Sequence, residues 1–94
     1  MRLQKELQSA TRAFVRSGGK TNRRMQLRRM EAFVAHCRLM GATSLHNVGI
    51  RHFMSYYEQI KHLSESTQLN HYYAIRQLLR LSLLPDPPKP PCLL

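Results

Sequence analysis

Apolar residues recur at spacings of three and four along most of this chain, which is the period of amphipathic helices. The pattern predicts four helices, over residues 3–16, 22–40, about 48–63 and about 66–84. No segment of useful length alternates with period two, so strands are not expected. The sequence therefore predicts a single all-α domain, a size that suits 94 residues.

Each predicted helix has candidate boundary residues, since glycine and proline end helices and short polar side chains begin them. The predicted terminators are Ser17-Gly18-Gly19, Gly41 and Pro85. The predicted N-caps are Thr21 for the second helix, Asn47 or Gly49 for the third, and Ser66 or Thr67 for the fourth.

The apolar stripes predict one shared core. Its predicted members are Leu3, Leu7, Ala10, Phe14, Leu27, Met30, Phe33, Val34, Cys37, Ile50, Phe53, Met54, Tyr57, Ile60, Leu69, Tyr72, Ile75 and Leu79, with Ser82 at the end of the fourth stripe. Cys37 lies in a stripe, and its spacing from Cys92 fits neither a metal site nor a disulfide framework. We therefore expect a reduced, cytoplasmic protein.

Residues 85–94 are rich in proline, which favours an extended polyproline conformation. This composition predicts a boundary: a helical domain over residues 1–84, followed by an extended Pro-rich linker over residues 85–94 that leads away from it.

Charge narrows the choice of partner. The formal net charge is +10, from 15 Lys+Arg against five Asp+Glu. The first 29 residues contain Glu6 as their single acid and much of the basic excess: Arg2, Lys5, Arg12, Arg16, Lys20, Arg23, Arg24, Arg28 and Arg29. Such clustering favours a polyanion, either nucleic acid or an anionic membrane surface. The apolar stripe of the first helix is narrow for a membrane surface, and no apolar run approaches the ~18 residues of a span.

The residues that catalysis or metal binding would need are not grouped. Gly18-Gly19-Lys20-Thr21 lacks the earlier glycine and the preceding strand of a phosphate loop. The five acids are scattered, and the five histidines show no metal-ligand spacing. We therefore expect no catalytic residue, metal, cofactor or small-molecule substrate. Most of the histidines are expected at the surface, with His71 facing a nucleic acid.

Polar and basic side chains concentrate at two predicted helix starts. The first is Lys20, Thr21, Asn22, Arg23 and Arg24, continuing to Gln26, Arg28 and Arg29, and the second is Ser66, Thr67, Gln68, Asn70 and His71, with Arg76 further along. Helix starts offer free N–H groups to phosphates, and guanidinium, hydroxyl and amide groups contact phosphates and base edges. The two starts are expected to lie side by side as one DNA-binding surface.

The order of these features resembles the N-terminal core-binding, SAM-like domain of the tyrosine recombinases, or phage integrases, over residues 3–91. The resemblance rests on Lys20-Thr21 opening a basic helix with Phe33, on Leu45 and Val48 in a turn, on Phe53 and Tyr57, and on Ser66-Thr67 opening a helix with Ala74-Ile75-Arg76 and Leu79.

The resemblance implies four helices packed as two crossed hairpins, with the second and fourth against the major groove of double-stranded DNA. It also implies a role in DNA integration or recombination in a prokaryote or phage, other recombinase protomers on the same DNA, and a catalytic domain that these 94 residues lack. The tail differs from the family in having no Asn-Pro after the last helix. Two other functions stay open: a stand-alone helix-turn-helix regulator on a two-fold site, and a helical protein-interaction module.

Overall fold

The structure, a computed structural model, describes residues 2–16 and 20–91, without the side chains at positions 13, 15, 16, 20 and 21. It contains four α-helices: α1 (Arg2–Arg16), α2 (Lys20–Leu39), α3 (Ile50–Ile60) and α4 (Glu65–Leu81), with a short 3-10 turn (Leu45–Asn47) before α3. No strand occurs in the described ranges. The prediction of a four-helix, all-α chain is confirmed.

The core forms around α2, which packs against each of the other three helices. Most of the predicted core residues are buried: Leu3, Leu7, Met30, Phe33, Val34, Cys37, Phe53, Tyr57, Ile60, Tyr72, Ile75 and Leu79. Burial raises the pKa of the Cys37 thiol to about 12, so this cysteine stays protonated and acts as a small apolar side chain.

An aromatic cluster joins α2 to α3. The Phe33 ring stacks on Phe53 at 5.5 Å and meets Tyr56 edge-on at 5.3 Å. Burying a phenylalanine side chain contributes about 1.5–3 kcal/mol, and aromatic geometry adds to this. Tyr56 was not among the predicted core residues, whereas Ile50 was and is 65% exposed. Ile50 is the first residue of α3.

Two helices end with a residue in the left-handed region. Gly41 follows α2 with φ +95°, as predicted for a glycine terminator. Leu83 follows α4 with φ +59°, although it carries a side chain. Its N–H donates to Arg80 O at 3.1 Å, and the Leu84 N–H donates to Leu79 O at 2.8 Å. These two bonds satisfy carbonyls that the helix end leaves free.

Two of the predicted N-caps are wrong. The Oγ of Ser64 accepts the Thr67 N–H at 3.3 Å and caps α4, so Ser66 and Thr67 lie inside its first turn. Helix α2 begins at Lys20, so Thr21 also lies inside a helix. Gly49 caps α3, as predicted. The predicted terminator at positions 17–19 lies outside the described residues.

Residues 85–91 lie against the helices, contrary to the prediction that they lead away. Pro87 and Pro90 are buried. The Tyr57 hydroxyl donates to Pro88 O at 2.7 Å, and burial raises the pKa of this phenol, which keeps it a donor. Proline rings are apolar and carry no N–H to satisfy, so they cover a helix surface readily. None of the helices in the described part of the chain is long and apolar enough to cross a membrane.

Candidate nucleic-acid interface

The basic half of α2 lies against the middle of α4. Asn22 and Arg23 share a recess with Tyr73 and Arg76. Further along α2, the charge of Arg29 lowers the pKa of His71, which lies nearer the start of α4. The two predicted helix starts are therefore not side by side. About ten residues of α4 separate its start from the recess, roughly 15 Å along the helix axis.

The recess has a volume of about 250 Å³ and lies where α1, α2 and α4 meet. We call it the α2–α4 recess. Its lining residues are Phe14, Asn22, Arg23, Gln26, Tyr73, Arg76 and Gln77. The lining therefore offers two guanidinium groups, three side-chain amides and a phenol, with no carboxylate among the residues that the structure describes there.

Aromatic rings hold both guanidinium groups of the recess. The Arg23 guanidinium carbon lies 4.4 Å from the centre of the Phe14 ring. That of Arg76 lies 4.8 Å from Tyr73 and 5.7 Å from Tyr72. An aromatic face attracts a cation and leaves the edge of the guanidinium plane, where the N–H donors lie, free for other partners.

The acids of the described residues are engaged elsewhere or lie away from the recess. The ion pairs are Arg2–Glu6, His46–Glu6, Lys61–Glu58 and Arg80–Asp86. Asp86 receives two hydrogen bonds from Arg80, at 2.9 and 2.8 Å. These bonds are the main reason that the pKa of Asp86 is lowered, and the charges of Arg80 and Arg76 have smaller effects in the same direction. Among the described residues, no ion pair includes Arg23, Arg24, Arg28, Arg29 or Arg76.

Arg24 and Arg28 form a second basic feature on the solvent-facing side of α2. Both are exposed, and a separation of four residues places them one turn apart on one face. They do not line the recess. Like charges in this register repel each other, so the pair slightly destabilises the isolated helix.

The polar side chains at the start of α4 form hydrogen bonds within the helix cap and the preceding turn. Ser64 Oγ donates to Thr67 Oγ1 at 2.9 Å. The buried Gln68 side chain donates through Nε2 to Lys61 O at 3.3 Å and to Leu63 O at 2.8 Å. Gln68 therefore satisfies carbonyls in the turn after α3, and we assign it to packing and not to the predicted base contact. Ser66 and Asn70 are exposed.

Two histidines expected at the surface are packed between helices instead. His36 is buried, with Nε2 2.9 Å from Ser55 Oγ. His71 is half-buried, with Nδ1 3.0 Å from the Tyr56 hydroxyl. Burial lowers the pKa of His36, with a smaller effect from His52. Burial also lowers the pKa of His71, as does the charge of Arg29.

The same burial raises the pKa of Tyr56 to about 12. The phenol therefore stays protonated, and the histidine tautomer sets which of the two groups donates. This bond fixes the His71 ring between α3 and α4, so we assign His71 to packing and not to base contact.

The structure thus gathers Asn22, Arg23 and Arg76 from the predicted site and leaves Ser66, Thr67 and Gln68 at a separate place. The side chains of Lys20 and Thr21 lie outside the described residues. Tyr73 and Gln77 were missed. A tyrosine three residues before an arginine on one helix was the available signal for Tyr73, because that spacing puts both side chains on one face.

Within the described ranges, no group of three or more His, Cys, Asp or Glu side chains could hold a metal ion. Comparison of the chain with protein-family models, with curated proteins and with solved structures finds no match.

Proposed function

We propose that this chain binds duplex DNA through α2 and α4, as the core-binding module of a tyrosine recombinase. The observation that carries the proposal is that the basic half of α2 and the adjoining part of α4 bring together five arginines without a carboxylate partner among the described residues: Arg23, Arg24, Arg28, Arg29 and Arg76. Unpaired guanidinium groups on two adjacent helices match the charge of a phosphate backbone.

The contacts divide by chemistry. Arginines supply phosphate contacts, which set the position of a protein on the duplex. Base edges are read by exposed amides, which here are Asn22 and Asn70. Asn70 precedes Tyr73 by three residues and Gln77 by seven, so it lies on the α4 face that continues from the recess. Neither Gln68 nor His71 belongs to this set.

The salt dependence of binding tests the proposal. With five phosphates neutralised, log K should fall against log salt with a slope of about −4 to −5. Replacing both Arg23 and Arg24 by alanine removes two of those contacts. We expect weaker binding and a slope flatter by about 1.8, measured by fluorescence anisotropy on a labelled duplex.

Arg38→Ala is the matched control, because Arg38 is exposed on the same helix at its opposite end. It should change the slope little. Equal effects of the control and of the Arg23/Arg24 double variant would refute an interface confined to the α2–α4 side, and binding with no salt dependence would refute DNA binding through phosphates.

A further inference from the structure

We propose that the α2–α4 recess is a discrete pocket for one phosphate group, which Arg23 and Arg76 bind. The pocket is distinct from the diffuse attraction that exposed arginines such as Arg24 and Arg28 exert along α2. The inference rests on the proposed function only for the source of the phosphate, which would then be the DNA backbone.

The charge of the lining sets the class of ligand. Two guanidinium groups share this small space with no carboxylate among the described lining residues. Like charges held close together raise the free energy of the empty recess, and an anion between them lowers it. Planar guanidinium groups match the oxygens of a phosphate in a two-pronged geometry. The recess therefore suits a tetrahedral oxyanion better than a neutral or cationic ligand.

The arginines are positioned before any ligand arrives. Phe14 lies under Arg23, and Tyr73 lies under Arg76. No hydrogen bond or ion pair among the described residues uses either guanidinium. Since the aromatic contacts already restrict these long side chains, less conformational entropy remains to be lost on binding.

The amides and the size of the recess agree with a small polar ligand. Gln26 Oε1 is buried without a hydrogen-bond partner in the described part of the chain. This oxygen is an acceptor and cannot bind a phosphate oxygen directly, so it indicates a place for a water that hydrates the anion. A volume of about 250 Å³ is below the usual range of small-molecule sites, roughly 300–1,000 Å³. A phosphate with its hydration water suits this space, and a whole nucleotide does not.

Nuclear magnetic resonance of the full 94-residue chain tests the pocket directly. Inorganic phosphate is titrated at constant ionic strength, with chloride as the balancing anion. The side-chain amide signals of Asn22, Gln26 and Gln77 should follow one binding curve with the Nε–H signals of Arg23 and Arg76. The Nε–H signals of other arginines should move little. Shifts spread evenly over all arginines would overturn the pocket.

Variants separate the pocket from general basicity. Arg76→Gln should weaken phosphate binding by about tenfold or more, the usual effect of losing a charged hydrogen bond. Arg76→Lys keeps the charge but loses the planar fork, so it should weaken binding less. Arg51→Gln, at an exposed position on α3, is the matched control and should bind like the original chain. Arg76→Gln binding phosphate as well as the control would also overturn the proposal.

A parallel titration with duplex DNA identifies the source of the phosphate and separates the two proposals. Pocket shifts with phosphate but no binding of duplex would support the pocket and refute the DNA-binding function. Duplex binding that Arg76→Gln leaves unchanged, with phosphate binding lost, would support DNA binding and refute the DNA backbone as the source of the phosphate. Loss of both phosphate and duplex affinity in Arg76→Gln, with the control intact, is the result we expect.

Discussion

Replacing Gln68 by methionine tests whether this residue stabilises the fold or contacts DNA. The side chain is 6% exposed, and its Nε2 donates to two carbonyls in the turn after α3. Methionine keeps the length and much of the volume of glutamine but offers no donor. The change therefore removes two hydrogen bonds while it preserves packing between α3 and α4.

The expected loss follows from the two bonds. A net hydrogen bond contributes roughly 0.5–1.5 kcal/mol, so Gln68→Met should lower the free energy of unfolding by about 2 kcal/mol. In a domain of this size that loss corresponds to a fall in Tm of roughly 8–16 °C. Urea denaturation followed by circular dichroism measures the free energy, and a thermal melt measures Tm.

Gln59→Met is the matched control, since Gln59 is exposed on α3 and makes no hydrogen bond with another described side chain. It should leave stability nearly unchanged. Below the melting temperature, Gln68→Met should bind duplex DNA as tightly as the original chain. A loss of less than about 0.5 kcal/mol, combined with clearly weaker DNA binding, would refute the structural role assigned to Gln68.

Three other predictions concern stability. Leu83→Gly should raise the free energy of unfolding by about 0.5–1 kcal/mol in urea denaturation, because glycine adopts the positive φ without strain; no gain would contradict the strain. Tyr57→Phe should lower the free energy of unfolding by about 1 kcal/mol, because Pro88 O loses its donor. Faster proteolysis within residues 85–91 should accompany the loss. An unchanged melt would count against the contact of this segment with α3. The pKa values of His36 and His71 are lowered in the folded chain, so below pH ~6.5 the unfolded chain binds more protons than the folded one. The free energy of unfolding should therefore decrease as the pH is lowered, by at most about 1.4 kcal/mol per pH unit for each histidine. His71→Gln should flatten this fall, and a stability that is level between pH ~7.5 and ~5.5 would refute the assignment.

Helix periodicity was sufficient to predict the fold class, because the apolar stripes are long and regular. Leu3, Leu7, Phe33 and Ile75 lie on stripes and are buried. The exact capping residue of α4 was not predictable, because Ser64, Ser66 and Thr67 are all good caps. The choice among them depends on where α3 ends, which is a tertiary property.

The candidate site was predictable in composition but not in geometry. Basic residues at the start of α2 were visible in the sequence, and Asn22, Arg23 and Arg76 do share a recess. Polar residues at the start of α4 looked equivalent in sequence, yet Gln68 donates to carbonyls in the turn after α3. A sequence shows which groups can form hydrogen bonds, but only the packed fold shows which of them are buried. The direction in which α2 passes α4 decides which of them meet.

The first turn of α2 has a consequence for how the domain responds to its solution. It contains no acidic residue, and Arg23 and Arg24 lie near the end of the helix dipole that already repels cations. This self-repulsion opposes folding and is screened by dissolved ions. Added salt should therefore make the isolated domain harder to unfold while it releases the domain from a polyanion. Salt would thus change the stability of the domain and its affinity for a polyanion in opposite directions. A bound anion would reduce the repulsion between these arginines and so stabilise the fold.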